Sequence, residues 1–80
     1  MNISEAVAIR IRELLSTTHQ SQYKLEQKAG LSHETLKSIM KGKAKGVNLK
    51  TVIVIADGFG MSVSSFLDCQ LFSYNNLNID

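Results

Sequence analysis

Gln22-Tyr23-Lys24-Leu25-Glu26-Gln27-Lys28-Ala29-Gly30-Leu31-Ser32-His33-Glu34-Thr35-Leu36-Lys37-Ser38-Ile39 reads as two short helices joined by a tight turn. Leu25, Ala29, Leu36 and Ile39 recur at helical spacing and face inward, and Leu31 plugs the corner between them. Gly30 falls where the first helix must stop, because a left-handed residue after the last turn is cheap only for glycine. Ser32 can accept a hydrogen bond from the free amides that open the next helix. A helix that restarts so soon after a break leaves the first at a steep angle.

Working outward, Ser4 is expected to cap a first helix, with Ile3 outside it stapled onto Ala8. Val7, Ile11, Leu14 and Leu15 form its apolar stripe, and Arg10, Arg12 and Glu13 its wet side. The run Ser16-Thr17-Thr18-His19-Gln20-Ser21 reads as a connector whose last residue caps helix two. Helix two extends to about Ala29, and helix three from His33 to Met40. Asn48 caps a fourth helix through Leu49, Val52, Ile53, Ile55, Ala56 and Phe59, with Gly60 behind it. Its Val-Ile-Val-Ile run favours a strand, but positions 49, 52, 56 and 59 keep a helical period. Ser62 caps a short fifth helix from Val63 to Leu67. These elements predict an all-α, compact five-helix domain over residues 1–68. Residues 69–80 form an apolar tail (Leu71, Phe72, Tyr74, Leu77 and Ile79) in which Tyr74-Asn75-Asn76 breaks any helix.

Eighty residues make one small domain, and such a chain buries only about 60–65% of its unfolded surface. That leaves room for one core and none for an elaborate catalytic cleft. The 44% hydrophobic and 20% charged content is that of an ordinary globular chain. Net charge is a modest +2, but its distribution is uneven. Between Thr35 and Ala56 there is no acidic residue, while Lys37, Lys41, Lys43, Lys45 and Lys50 all fall there. A one-signed patch on a balanced chain is the footprint of a nucleic-acid binder; the plainer alternative is a solvated lysine-rich loop. Cys69 is the only cysteine, so no internal disulfide forms and a reducing cytoplasm is the expected location. No leader and no membrane-spanning run is visible. Two histidines, one cysteine and scattered acids give neither metal-ligand spacing nor a nucleophile with a base. No metal, cofactor or enzymatic activity is expected.

From Arg10 to Leu67 the chain resembles the lambda-repressor/Cro-like helix-turn-helix proteins of bacteria and phages, the xenobiotic-response-element type. The matching pieces are Arg10-Ile11-Arg12-Glu13-Leu14, Gln22 with Leu25, Ala29-Gly30-Leu31-Ser32, Thr35-Leu36 with Ile39, Gly42, and Ile55-Ala56-Asp57-Gly58-Phe59-Gly60-Met61-Ser62. Each piece is weak alone; the ordered set is strong. The resemblance implies a five-helix fold and sequence-specific binding of double-stranded DNA by a repressor-like regulator. It also implies a homodimer on half-sites roughly 34 Å apart.

Four positions depart from the family pattern. An arginine late in helix one and a glutamate ending helix three, commonly paired, are here Leu15 and Met40. The matched change keeps an apolar contact, so Met40→Glu is expected to cost about 3–5 kcal/mol as an unpaired buried charge. Glu26 stands where alanine is usual, so its carboxylate is expected to swing outward or push helices two and three apart. Gln20 replaces a commonly apolar residue, with Tyr23 expected to fill the gap.

Duplex recognition needs phosphate anchors and side chains that reach base edges. By correspondence Gln22 opens helix two where its amide and the helix N-terminus can grip a phosphate, although it also reads as a polar first-turn residue. Lys41, Lys43 and Lys45 are the further phosphate candidates. Base reading falls to Ser32, His33, Glu34, Lys37 and Ser38. Ser32 reads equally well as a helix cap, and Glu34 as a complement to the helix dipole. The dimer contact is assigned to the tail, against the alternative that the tail wraps its own core. A second hypothesis is a protein-interaction module on the same fold, such as an antitoxin or adaptor with a protein partner.

Overall fold

The computed structural model describes residues 1–43 and 47–78. The first helix, α1 (Ile3–Thr18), opens two residues earlier than expected, on Asn2 instead of Ser4. Asn2 Oδ1 accepts from the Glu5 amide at 2.7 Å, and Glu5 Oε1 accepts from the Asn2 amide at 2.9 Å. This reciprocal box satisfies two amides at once, which a lone serine cannot do. Ile3 therefore lies inside the helix, exposed, and makes no staple from outside it.

The helix also runs further than expected. Thr17 Oγ1 donates to the Glu13 carbonyl and Thr18 Oγ1 to the Leu14 carbonyl, so both threonines bond back into the helix. His19 closes it in a left-handed conformation, φ 56°.

Ser21 caps α2 (Gln22–Ala29), and Gly30 ends it at φ 70°. Ser32 caps α3 (His33–Met40), Asn48 caps α4 (Leu49–Gly58) and Ser62 caps α5 (Val63–Leu67), each through its side-chain oxygen. In every case the acceptor takes an amide that the helix itself leaves free. The Val-Ile-Val-Ile run is helical: Val52, Ile55 and Ala56 point inward while Ile53 stays exposed. Burial of one helical face outweighs the strand preference of β-branched side chains.

Val7, Ile11, Leu14, Leu25, Leu36, Ile39, Val52, Ile55, Ala56 and Phe66 make the core. Full burial of a Leu, Ile or Phe side chain is worth about 1.5–3 kcal/mol each. Helix α1 packs on α3, α2 on α4, and α4 on α5. At Gly58 a Cβ would lie 2.9 Å from Leu25 Cδ1 and 3.3 Å from the Ala29 amide nitrogen, so only glycine lets α4 approach α2 this closely.

Leu15 and Met40 are both half-buried against this core. Tyr23 does not fill the space beside Gln20; it is exposed, with its hydroxyl accepting from Gln27 Nε2. Gln20 Oε1 is buried without a hydrogen-bond partner among the described residues.

The tail makes two short 3-10 turns, Gln70–Phe72 and Tyr74–Asn76. Phe72 lies against Phe66 with ring centroids 6.0 Å apart. The Asn78 amide donates to the Met1 carbonyl at 2.8 Å, which returns the chain to the start of α1. Leu71 and Leu77 are half-buried, Tyr74 is exposed, and Ile79 lies outside the described residues.

Candidate nucleic-acid interface

Helix α3 is held at both ends and on one side. At its start Ser32 Oγ accepts from the Thr35 amide and donates to Thr35 Oγ1, so this hydroxyl is committed to the helix. At its end Arg12 Nη2 donates to the Met40 carbonyl. Leu36 and Ile39 are buried beneath it. The opposite face carries His33, Glu34, Lys37 and Ser38, all exposed. An eight-residue helix seated this way turns one polar face outward.

Glu34, Lys37, Ser38, Lys41 and Lys43 line one shallow, open depression. Residues expected to read bases and residues expected to hold phosphates thus come together at the end of α3 and the loop after it. Three lysines and one glutamate share the lining of the depression. Lys45 lies outside the described residues. Gln22 is the half-buried first residue of α2. Ser21 takes the Lys24 amide at 3.1 Å, leaving the Gln22 and Tyr23 amides at the open end of that helix.

Two side chains behave otherwise than the sequence suggested. Glu26 neither swings outward nor wedges the helices apart. It is 8% exposed, and its Oε2 lies 2.9 Å from Nδ1 of His33, the first residue of α3. The departure from alanine is therefore absorbed by a partner across the turn.

Arg10 is no surface charge. Its Nε donates to the Phe66 carbonyl at 2.7 Å, its Nη2 to the Ser65 carbonyl at 3.0 Å, and its guanidinium lies 5.8 Å from the Phe66 ring centre. Arg10 clamps α5 to α1. The patch on α3 and its loop is thus built from lysines, while these two arginines close helix ends.

Among the described residues no cluster of three His, Cys, Asp or Glu side chains could hold a metal ion. No helix among them is long and apolar enough to cross a membrane.

Residues 10–71 match the family model of the Cro/C1-type HTH DNA-binding domain. The chain belongs to that family. No curated protein and no solved structure matches it. The Cro/C1-type assignment agrees with the all-α architecture and with the helix-turn-helix formed by α2 and α3. It makes the protein a DNA-binding transcription regulator, from a family of binders and not of enzymes.

Proposed function

We infer that this Cro/C1-type protein is a small prokaryotic or phage transcriptional regulator, repressor-like and working in the cytoplasm. It binds a specific duplex as a homodimer, with α3 in the major groove. The observation that supports this most is the exposed polar face of α3, anchored at both ends and continuous with Lys41 and Lys43. Lys37 suits guanine O6 and N7, Glu34 suits cytosine N4, and His33 and Ser38 complete the reading face. Gln22, Lys41, Lys43 and Lys45 hold phosphates and set register.

Exposed apolar side chains that a second copy can cover are Tyr74 in the tail and Leu49 with Ile53, one turn apart on α4. Phe72 is already engaged with Phe66 and contributes little to such a contact.

Selection of bound sites from a randomised duplex pool at two salt concentrations tests the reading. The expected product is a palindrome with half-sites roughly 34 Å apart. If each copy neutralises about four phosphates, log affinity falls against log salt with a slope near −3.6 per monomer. A flat salt response or an unenriched pool would end the DNA-reading model. Sedimentation of Leu49→Asp/Ile53→Asp and of Tyr74→Asp locates the dimer contact; a dimer unmoved by both places it elsewhere.

A further inference from the structure

An ionised carboxylate only accepts hydrogen bonds. With Glu26 ionised, the 2.9 Å contact between its Oε2 and His33 Nδ1 requires the proton on Nδ1. In a neutral imidazole the other nitrogen, Nε2, then holds a lone pair and accepts. Among the described residues nothing hydrogen-bonds to His33 Nε2, and the side chain is 63% exposed on the outward face of α3, whereas that of Glu26 is 10% exposed. The two residues sit seven positions apart, on either side of the turn. The buried member fixes the ring; the exposed member presents it.

We propose that Glu26 is a positioning residue for base readout. By holding His33 in its Nδ1–H form, it makes neutral His33 an acceptor for an exocyclic amino group, adenine N6 or cytosine N4, and not a donor to guanine. This rests on the reading that α3 faces the duplex. Without the carboxylate, the ring exchanges between both tautomers and its edge offers donor and acceptor alike.

Ring 15N spectra of the free protein at pH 8 and site selection from a randomised duplex pool, for the wild type, Glu26→Ala and His33→Ala, test the proposal. Alanine is a strong helix former and strands no buried charge, so Glu26→Ala keeps the fold, as circular dichroism will verify. The wild-type spectrum itself requires no variant. The wild-type ring is expected to be neutral and protonated on Nδ1, and Glu26→Ala is expected to shift it toward the Nε2–H form. One position of the wild-type half-site should favour adenine or cytosine by about three- to tenfold, the scale of one net hydrogen bond. Both variants should lose that preference and retain the others.

A wild-type ring protonated on Nε2, or on both nitrogens, overturns the proposal. So does a His33-dependent base preference that Glu26→Ala leaves unchanged. If the wild type selects no duplex, the reading of α3 fails and the base preference falls with it. In that case the spectrum still reports separately whether Glu26 holds the tautomer.

Discussion

Arg10 and Phe66, 56 residues apart in sequence, are joined twice: Nε donates to the Phe66 carbonyl at 2.7 Å, and the guanidinium sits over the same residue's ring. A five-residue helix such as α5 has almost no stability of its own. Arg10 takes up the Phe66 carbonyl and shares that of Ser65 with the Asp68 amide, and the cation complements that negative end. Arg10→Ala should therefore destabilise the fold by about 2 kcal/mol, from lost charge-assisted hydrogen bonds. Urea titration of both proteins reads this difference, and an unchanged midpoint would deny the clamp.

Gly58→Ala sets two effects against each other. Alanine gains about 1 kcal/mol of helix propensity, but its Cβ meets the buried Leu25 side chain and the Ala29 backbone. Overpacking of this kind costs about 1–3 kcal/mol, so a net loss of about 1 kcal/mol is expected. A higher melting temperature in Gly58→Ala would show that α2 and α4 can part without cost.

Gly30→Ala isolates backbone strain, because nothing lies within 4 Å of the Cβ it would add. At φ 70° the expected loss is about 1–2 kcal/mol. Gly30→Asn should lose less, since asparagine tolerates this region better. Equal melting temperatures for the two variants would contradict this account.

Met40→Glu is the substitution whose expected cost the structure lowers. Met40 is half-buried, and the Arg12 guanidinium already donates to its carbonyl. A carboxylate there has water and a cation at hand, so a loss of about 1 kcal/mol or less replaces the 3–5 kcal/mol of a stranded charge. Thermal melting at low and high salt separates the two, because a screened partner matters less at high salt.

Lys41→Ala/Lys43→Ala should weaken binding to every duplex alike and make the salt slope shallower by about 1.8, the share of two phosphates. Lys37→Ala should instead change which sites are selected. If the loop pair altered sequence preference and left the slope intact, the assignment of phosphate contacts to the loop would be wrong.

The helix boundaries legible in the sequence were those set by local chemistry. Gly30, Ser32, Asn48 and Ser62 each act on a neighbour three or four residues away, and all stand where the residue types place them. Residue type alone does not place the start of α1, because Ser4 is as good a capping type as Asn2. The deciding signal was Glu5 three residues after Asn2, which completes the box. Thr17 and Thr18 read as connector because threonine is a poor helix former alone, whereas their hydroxyls found carbonyls one turn back.

The candidate interface was legible as a list of exposed residues, through the helical phase of Leu36 and Ile39. Its supports were not. Glu26 with His33, Arg12 with Met40 and Arg10 with Phe66 all join residues from different elements. No local period or cap encodes such a meeting.

The carboxylate of Glu34, set among Lys37, Lys41 and Lys43, bears on how such a protein would search a genome. Any docking that brings Glu34 against the backbone meets like-charge repulsion, so misregistered complexes lose part of what the lysines gain. On the proposed reading of α3, non-cognate lifetimes would shorten, and the ratio of correct to incorrect occupancy would rise without a stronger grip on the target.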